Sequence, residues 1–176
     1  MLTLLVMRHA KSSWGEPGLS DHDRPLTERG KQDAPRVGVL LQEQGLIPDL
    51  IVTSTAKRAR KTAKKVAHTC GYQGAIAETE TFYLAPVDPY LAYLRQLPDE
   101  HQCVLVVGHN PGLEDVLETL TGRFERLTTA ALAHVTLSIS DWRELAASPQ
   151  GQLLHVWRPS DLSDGGESGA SATDSH

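Results

Sequence analysis

Cysteine is scarce in this chain: only Cys70 and Cys103 occur, and neither belongs to a C-x-x-C pair. That count argues against a disulfide framework or a cysteine-built zinc site, and a reducing, cytoplasmic compartment is expected. Apolar runs long enough to span a bilayer are missing, and so is a basic opening followed by an apolar core and a cleavage site. A soluble protein with no membrane role follows as the expectation. Lys and Arg are absent from Pro159 onward, where Asp161, Asp164, Glu167 and Asp174 fall. These acids account for most of the formal net charge of −5, so the remainder is nearly neutral. Binding of nucleic acid through bulk charge is therefore not expected. Glycine-rich phosphate loops are missing as well. "VVGHNPG" has too few glycines, and Ser12 and Ser13 fit neither a nucleophile elbow nor a Walker loop.

What is present is an alternation of strand-like and helix-like segments over 176 residues, about one domain in length. "LTLLVM" (2–7), "DLIVTS" (49–54) and "CVLVVGH" (103–109) are near-continuous apolar runs, each followed by a helical pattern. Thr27 is placed to cap a helix running to about Gln44, which Pro35 is expected to bend or restart. "TAKRARKTAKKVAHTCG" reads as a basic helix stopped near Gly71. "AIAETETF" gives a short strand, and "VDPYLAYLRQLP" a short helix with Leu91, Leu94 and Leu97 in step. "PGLEDVLETLTG" is a helix with Pro111 expected at its first position and Gly122 at its end. "HVTLSI" and "LLHVWR" supply two closing strands. The pattern predicts an α/β fold, a three-layer α/β/α sandwich with a mainly parallel sheet covered on both faces. One domain over residues 1–158 and a disordered acidic Ser/Gly-rich tail over 159–176 are expected.

Ligands of such sheets bind outside the carboxyl ends of the strands. Arg8 and His9 follow the first run, Ser54 and Arg58 the second, and His109 with Asn110 the third. Two arginines, two histidines and two helix starts at one edge make a site for an anion. Guanidinium forks match phosphoryl oxygens in pairs, and helix N-termini favour negative charge. A neutral histidine there can attack phosphorus, provided its other N–H has a fixed acceptor such as a backbone carbonyl. The lysines of "KRARKTAKK", Lys57, Lys61, Lys64 and Lys65, recur at helical spacing and read as a solvated face, leaving Arg58 apart as the site residue. Lys11 reads as a solvated lysine. His22 lies in the loop on the pocket side, whereas His68, His101, His134, His155 and His176 read as surface or packing residues. Trp14 either covers the pocket or anchors its loop.

"RHA" after the first strand, the arginine of "STAKRARKT" and "GHNP" after a later strand resemble the motifs of the histidine phosphatase superfamily, which is phosphoglycerate mutase-like in fold. The opening "RHAKSSW" with "DHDRPLTERG" is similar to its small SixA-type phosphohistidine phosphatase branch. The resemblance spans roughly residues 2–158. It implies that His9 is the nucleophile that becomes phosphohistidine. It further implies that Arg8 and Arg58 clamp the phosphoryl oxygens and that His109 helps to stabilise the transition state. Arg24 in "DRPLT" is implied near the pocket, and Ser12 and Asn110 are expected to contact substrate. No metal or other cofactor is implied.

Two departures stand out. Ala10 takes the place of the usual glycine. Leu84, in "FYLAP", stands near the position where larger relatives carry a proton-donating glutamate. Glu80, Asp21, Asp23 and Asp88 are the candidate stand-ins, with water as the alternative. General acids contribute about 10²–10⁴-fold where the leaving group is a poor one, such as a sugar alkoxide. Phosphohistidine has a weaker bond and a more basic leaving nitrogen that solvent can protonate, so the missing acid favours N–P substrates or activated esters. The expectation is a metal-independent phosphatase acting on phosphohistidine carried by a protein. A small-metabolite phosphomonoesterase and a non-catalytic phosphate-recognition module are the alternatives.

Overall fold

The computed structural model describes residues 1–162. Six strands form one sheet in the order β3-β2-β4-β1-β5-β6: β1 (Leu2–Arg8), β2 (Leu50–Ser54), β3 (Ile76–Thr79), β4 (Cys103–Gly108), β5 (Leu132–Leu137) and β6 (Gly151–Trp157). The four strands from β3 to β1 run parallel. β5 pairs antiparallel with β1, and β6 antiparallel with β5. Four helices cover the faces: α1 (Glu28–Glu43), α2 (Lys57–Cys70), α3 (Val87–Arg95) and α4 (Gly112–Thr121). None is long and apolar enough to cross a membrane.

The continuous apolar strands are explained by burial on both sides. Successive residues of a strand point to opposite faces. Leu4 and Val6 of β1 therefore join Val104 and Val106 of β4 under Leu91, Leu94, Leu113 and Leu117 of α3 and α4. Leu5 and Met7 join Ile51, Leu105 and Val107 under Val37 and Leu41 of α1 and Ala63 and Val66 of α2. The three-layer expectation holds.

Three local expectations are corrected. Pro35 does not restart α1, which runs unbroken from Thr27, whose hydroxyl accepts from the Gly30 amide. Pro111 stands just before α4 rather than at its first position, and Gly112 begins the helix. The tail does not begin at Pro159. Pro159–Asp161 form a 3-10 turn with Pro159 buried, and Leu162 packs against the α1–α2 side of the core. The rest of the predicted acidic tail, with His176, lies outside the described residues. The basic helix meets expectation in part: Lys61 and Lys64 are exposed and Arg58 is buried, while Lys57 and Lys65 are half-buried.

Candidate active site

Strand register brings the predicted residues to one edge. Arg8 pairs with Gly108 across β1 and β4, and Thr53 with Val107 across β2 and β4. His9, His109 and Ser54 thus leave the sheet side by side at the carboxyl ends of three parallel strands. The His9 amide continues the ladder by donating to the Gly108 carbonyl at 3.1 Å. A cavity of about 400 Å³ opens there, lined among others by Arg8, His9, Ser12, Arg24, Arg58, His109 and Asn110.

His9 is buried, and its Nδ1 lies 2.7 Å from the Ala10 carbonyl. A carbonyl only accepts, so Nδ1 carries the proton and Nε2 keeps its lone pair. Among the described residues nothing donates to that lone pair. Burial lowers the His9 pKa to about 4; the bond to Ala10 opposes the shift, and Arg58, Arg8 and Arg24 add to it. The ring is neutral at neutral pH. His109 sits at 5.2 Å between ring centroids and donates to or accepts from Ser54 Oγ at 2.8 Å through Nε2. Its Nδ1 is buried without a partner. Burial first, then His9 and Arg58, lower its pKa to about 3.

The arginines are held by the protein while keeping capacity for a ligand. Arg8 Nη1 donates to the Leu127 carbonyl at 3.2 Å, and its buried Nε has no partner. Burial lowers its pKa, opposed by Glu114, yet a guanidinium stays protonated. Arg58 Nη1 donates to the Asp21 carbonyl at 2.7 Å and Nη2 to Asp21 Oδ2 at 3.1 Å, while its buried Nε is also unpartnered. Thr62 joins the two parts. Its hydroxyl donates to the Arg58 carbonyl at 2.7 Å and accepts from the Ala10 amide at 3.0 Å.

Arg24 comes to the site with each nitrogen already engaged. Nε donates to the Ser13 carbonyl at 2.9 Å, Nη1 to Asp21 Oδ1 at 3.0 Å and Nη2 to Ser12 Oγ at 2.8 Å. Its guanidinium lies 3.9 Å from the centroid of the Trp14 ring. Arg24 therefore shapes the loop that carries Ser12. Asn110 Nδ2 donates to the Leu127 carbonyl at 2.8 Å, and its Oδ1 is buried without a partner. His22 does not line the cavity; it bonds Thr55 Oγ1 at 2.9 Å.

Of the four carboxylates considered as proton donors, Asp21 alone lines the cavity; Asp23, Glu80 and Asp88 are exposed away from it. Asp21 accepts from Tyr83, Arg24 and Arg58. The Tyr83 hydroxyl, opposed by partial burial and reinforced by both arginines, holds its carboxyl well below the usual carboxylate range. It has no proton to give at neutral pH and acts instead as the shared anchor of two arginines. Tyr83 also meets the His109 ring edge-on at 5.7 Å. Sequence reasoning did not single out Tyr83, although it lies in "FYLAP" beside Leu84. Of the Asp21 links, only that to Arg24, three residues on, is local; those to Arg58 and Tyr83 had no signal in spacing, since these partners are 37 and 62 residues away.

Chemically, the edge offers a neutral imidazole with a free lone pair, the half-buried Arg8 and buried Arg58 guanidinium groups and a second imidazole, which together suit attack on a phosphoryl group. A family model described as the histidine phosphatase superfamily (branch 1) matches residues 4–82. A chloroplastic protein of Arabidopsis thaliana is 33% identical over 153 residues, covering 82% of this chain and 70% of its own. A protein of Mycobacterium tuberculosis is 37% identical over 134 residues, covering 76% and 72%. Among solved structures, a SixA protein from Agrobacterium tumefaciens superposes with a TM-score of 0.77 at 28% identity, over 90% of this chain and 98% of that one. The protein histidine phosphatase SixA in complex with tungstate shares the fold, with a TM-score of 0.78 at 24% identity over 91% and 99% of the two chains.

Proposed function

Because the chain belongs to the histidine phosphatase superfamily, we propose that this phosphatase works through a phospho-His9 intermediate and takes phosphohistidine on a protein as its substrate. The observation that carries the mechanism is the His9 tautomer, with Nδ1–H fixed on the Ala10 carbonyl and Nε2 unprotonated.

In the first step the Nε2 lone pair forms a bond to phosphorus in line with the bond that breaks. The leaving nitrogen keeps the pair of electrons from the old P–N bond. A substrate ring protonated on its other nitrogen departs as neutral imidazole; otherwise water supplies the proton. Arg8, Arg58 and His109 bear on the phosphoryl oxygens, where charge must be held throughout. In the second step water forms the new P–O bond, the P–Nε2 bond breaks, and phosphate leaves with His9 neutral again. Neither step calls on a metal. The preference for an N–P bond rests on Asp21, the one carboxylate lining the cavity among the described residues, being held ionised by its partners. An alkoxide leaving without a proton would forfeit about 10²–10⁴-fold.

The test uses a carrier domain radiolabelled on histidine, in EDTA, with the full chain and with His9→Ala. Loss of label and an acid-labile phosphoenzyme only with His9 intact support the reading. An enzyme inert there but active on small phosphate esters moves the substrate to metabolites. Inertness on both with phosphate still bound leaves a recognition module.

A further inference from the structure

The cavity carries two large apolar side chains that stand largely in solvent. Trp14 is 84% exposed and Leu84 is 57% exposed, yet both line the same cavity as His9 and His109. Neither is loose. The Trp14 ring lies on the Arg24 guanidinium, which is itself fixed by Ser12, Ser13 and Asp21. Leu84 is bounded by anchored neighbours: Phe82 and Ala85 are buried, and Tyr83 bonds Asp21. Leu84 also holds a φ of 49°, in the left-handed region that side-chain-bearing residues avoid. A leucine kept in a disfavoured backbone conformation and presented to solvent at a site invites a functional explanation.

Resting on the reading above, we propose that Trp14 and Leu84 are the contacts for the leaving imidazole of phosphohistidine. In-line displacement places the leaving group across phosphorus from the attacking atom. With His9 buried at the floor of the cavity, that position is its open mouth, where Trp14 and Leu84 stand. The leaving group in question is a flat, partly apolar ring. An indole face and leucine methyls can cover such a ring, and neither needs to give it a proton. Trp14 is fixed on one side by Arg24 and is otherwise largely uncovered by the fold. On this assignment the site favours a ring-bearing N–P compound over one without a ring.

The experiment compares two N–P substrates: free phosphohistidine, and phosphoramidate, whose leaving group is ammonia. The quantity read is the ratio of kcat/KM for the first over the second, for the full chain, Trp14→Ala, Leu84→Ala and Trp14→Phe. Loss of an apolar contact to the ring is expected to lower the ratio about tenfold in each alanine variant, and Trp14→Phe is expected to retain it within about threefold. An unchanged ratio, including one in which both substrates slow together because Arg24 has shifted, overturns the assignment while leaving the phosphatase reading intact. A parent enzyme inert on both N–P substrates and on the labelled carrier domain removes that reading and the assignment with it, whereas one active on the carrier domain but not on free phosphohistidine, which offers the same ring, overturns the assignment alone.

Discussion

A single carboxylate organises the cationic side of the site. Asp21 receives Arg24 on one oxygen and both Arg58 and Tyr83 on the other. Asp21→Asn keeps the shape but removes the charge and one acceptor, so Arg58 loses the carboxylate that fixes its Nη2 at the cavity. Misplacement on the scale of 1 Å costs about 10²-fold in well-tuned sites. A fall in kcat/KM of about 10- to 100-fold is expected in steady-state assays, with His9 untouched. The two histidines set a pH dependence. Both are neutral in the folded protein down to about 4 and about 3, whereas an unfolded chain takes up their protons near 6.5. The unfolded state therefore binds more protons as pH falls from about 6.5 toward 4, and stability drops through that window. Urea titrations at stepped pH check this. His109→Gln is expected to flatten the slope between pH 6.5 and 4.

At the scale of elements, α1 and α2 cross closely at Gly38. A methyl group there would overlap the Thr69 hydroxyl and press on the Val66 carbonyl. Overpacking of this kind costs about 1–3 kcal/mol, so Gly38→Ala is expected to lower the urea midpoint without changing the slope. The elements themselves were largely legible. Burial on both faces makes β1, β2 and β4 uniformly apolar, and Thr27, Gly71 and Gly122 are helix-end residues read from chemistry alone. Pro35 misled because the missing amide and crowded carbonyl of one turn are a local cost, while Val37 and Leu41 beyond it are buried and hold the helix to the sheet. β5 and β6 begin two residues earlier than expected, since Ala133 and Gly151 carry little strand signal of their own. In the site, the strand-end residues Arg8, His9, Ser54 and His109 were readable because topology gathers strand ends. The links from Asp21 to Tyr83 and from Thr62 to Ala10 were not, for they depend on tertiary distances that no local pattern encodes.

For the molecule as a whole, the unpartnered Nε atoms of Arg8 and Arg58 and the unpartnered Nδ1 of His109 leave the folded state short of partners in its most buried polar region. An anion held in the cavity that Arg8, Arg58 and His109 line binds only the folded chain. Phosphate at about 100 times its dissociation constant adds about 2.7 kcal/mol, or about 5–10 °C in Tm for a domain of this size. That increment, measured by calorimetry, is expected to shrink in Arg58→Ala. A last consequence follows from the Thr62 hydroxyl, which ties the Ala10 amide to the helix bearing Arg58. Strand exit and helix start are thereby fastened across the sheet edge. Opening either one breaks this bond. In deuterium exchange the Ala10 amide, although it sits beyond the last residue of its strand, should lose its proton at the rate of the central strands.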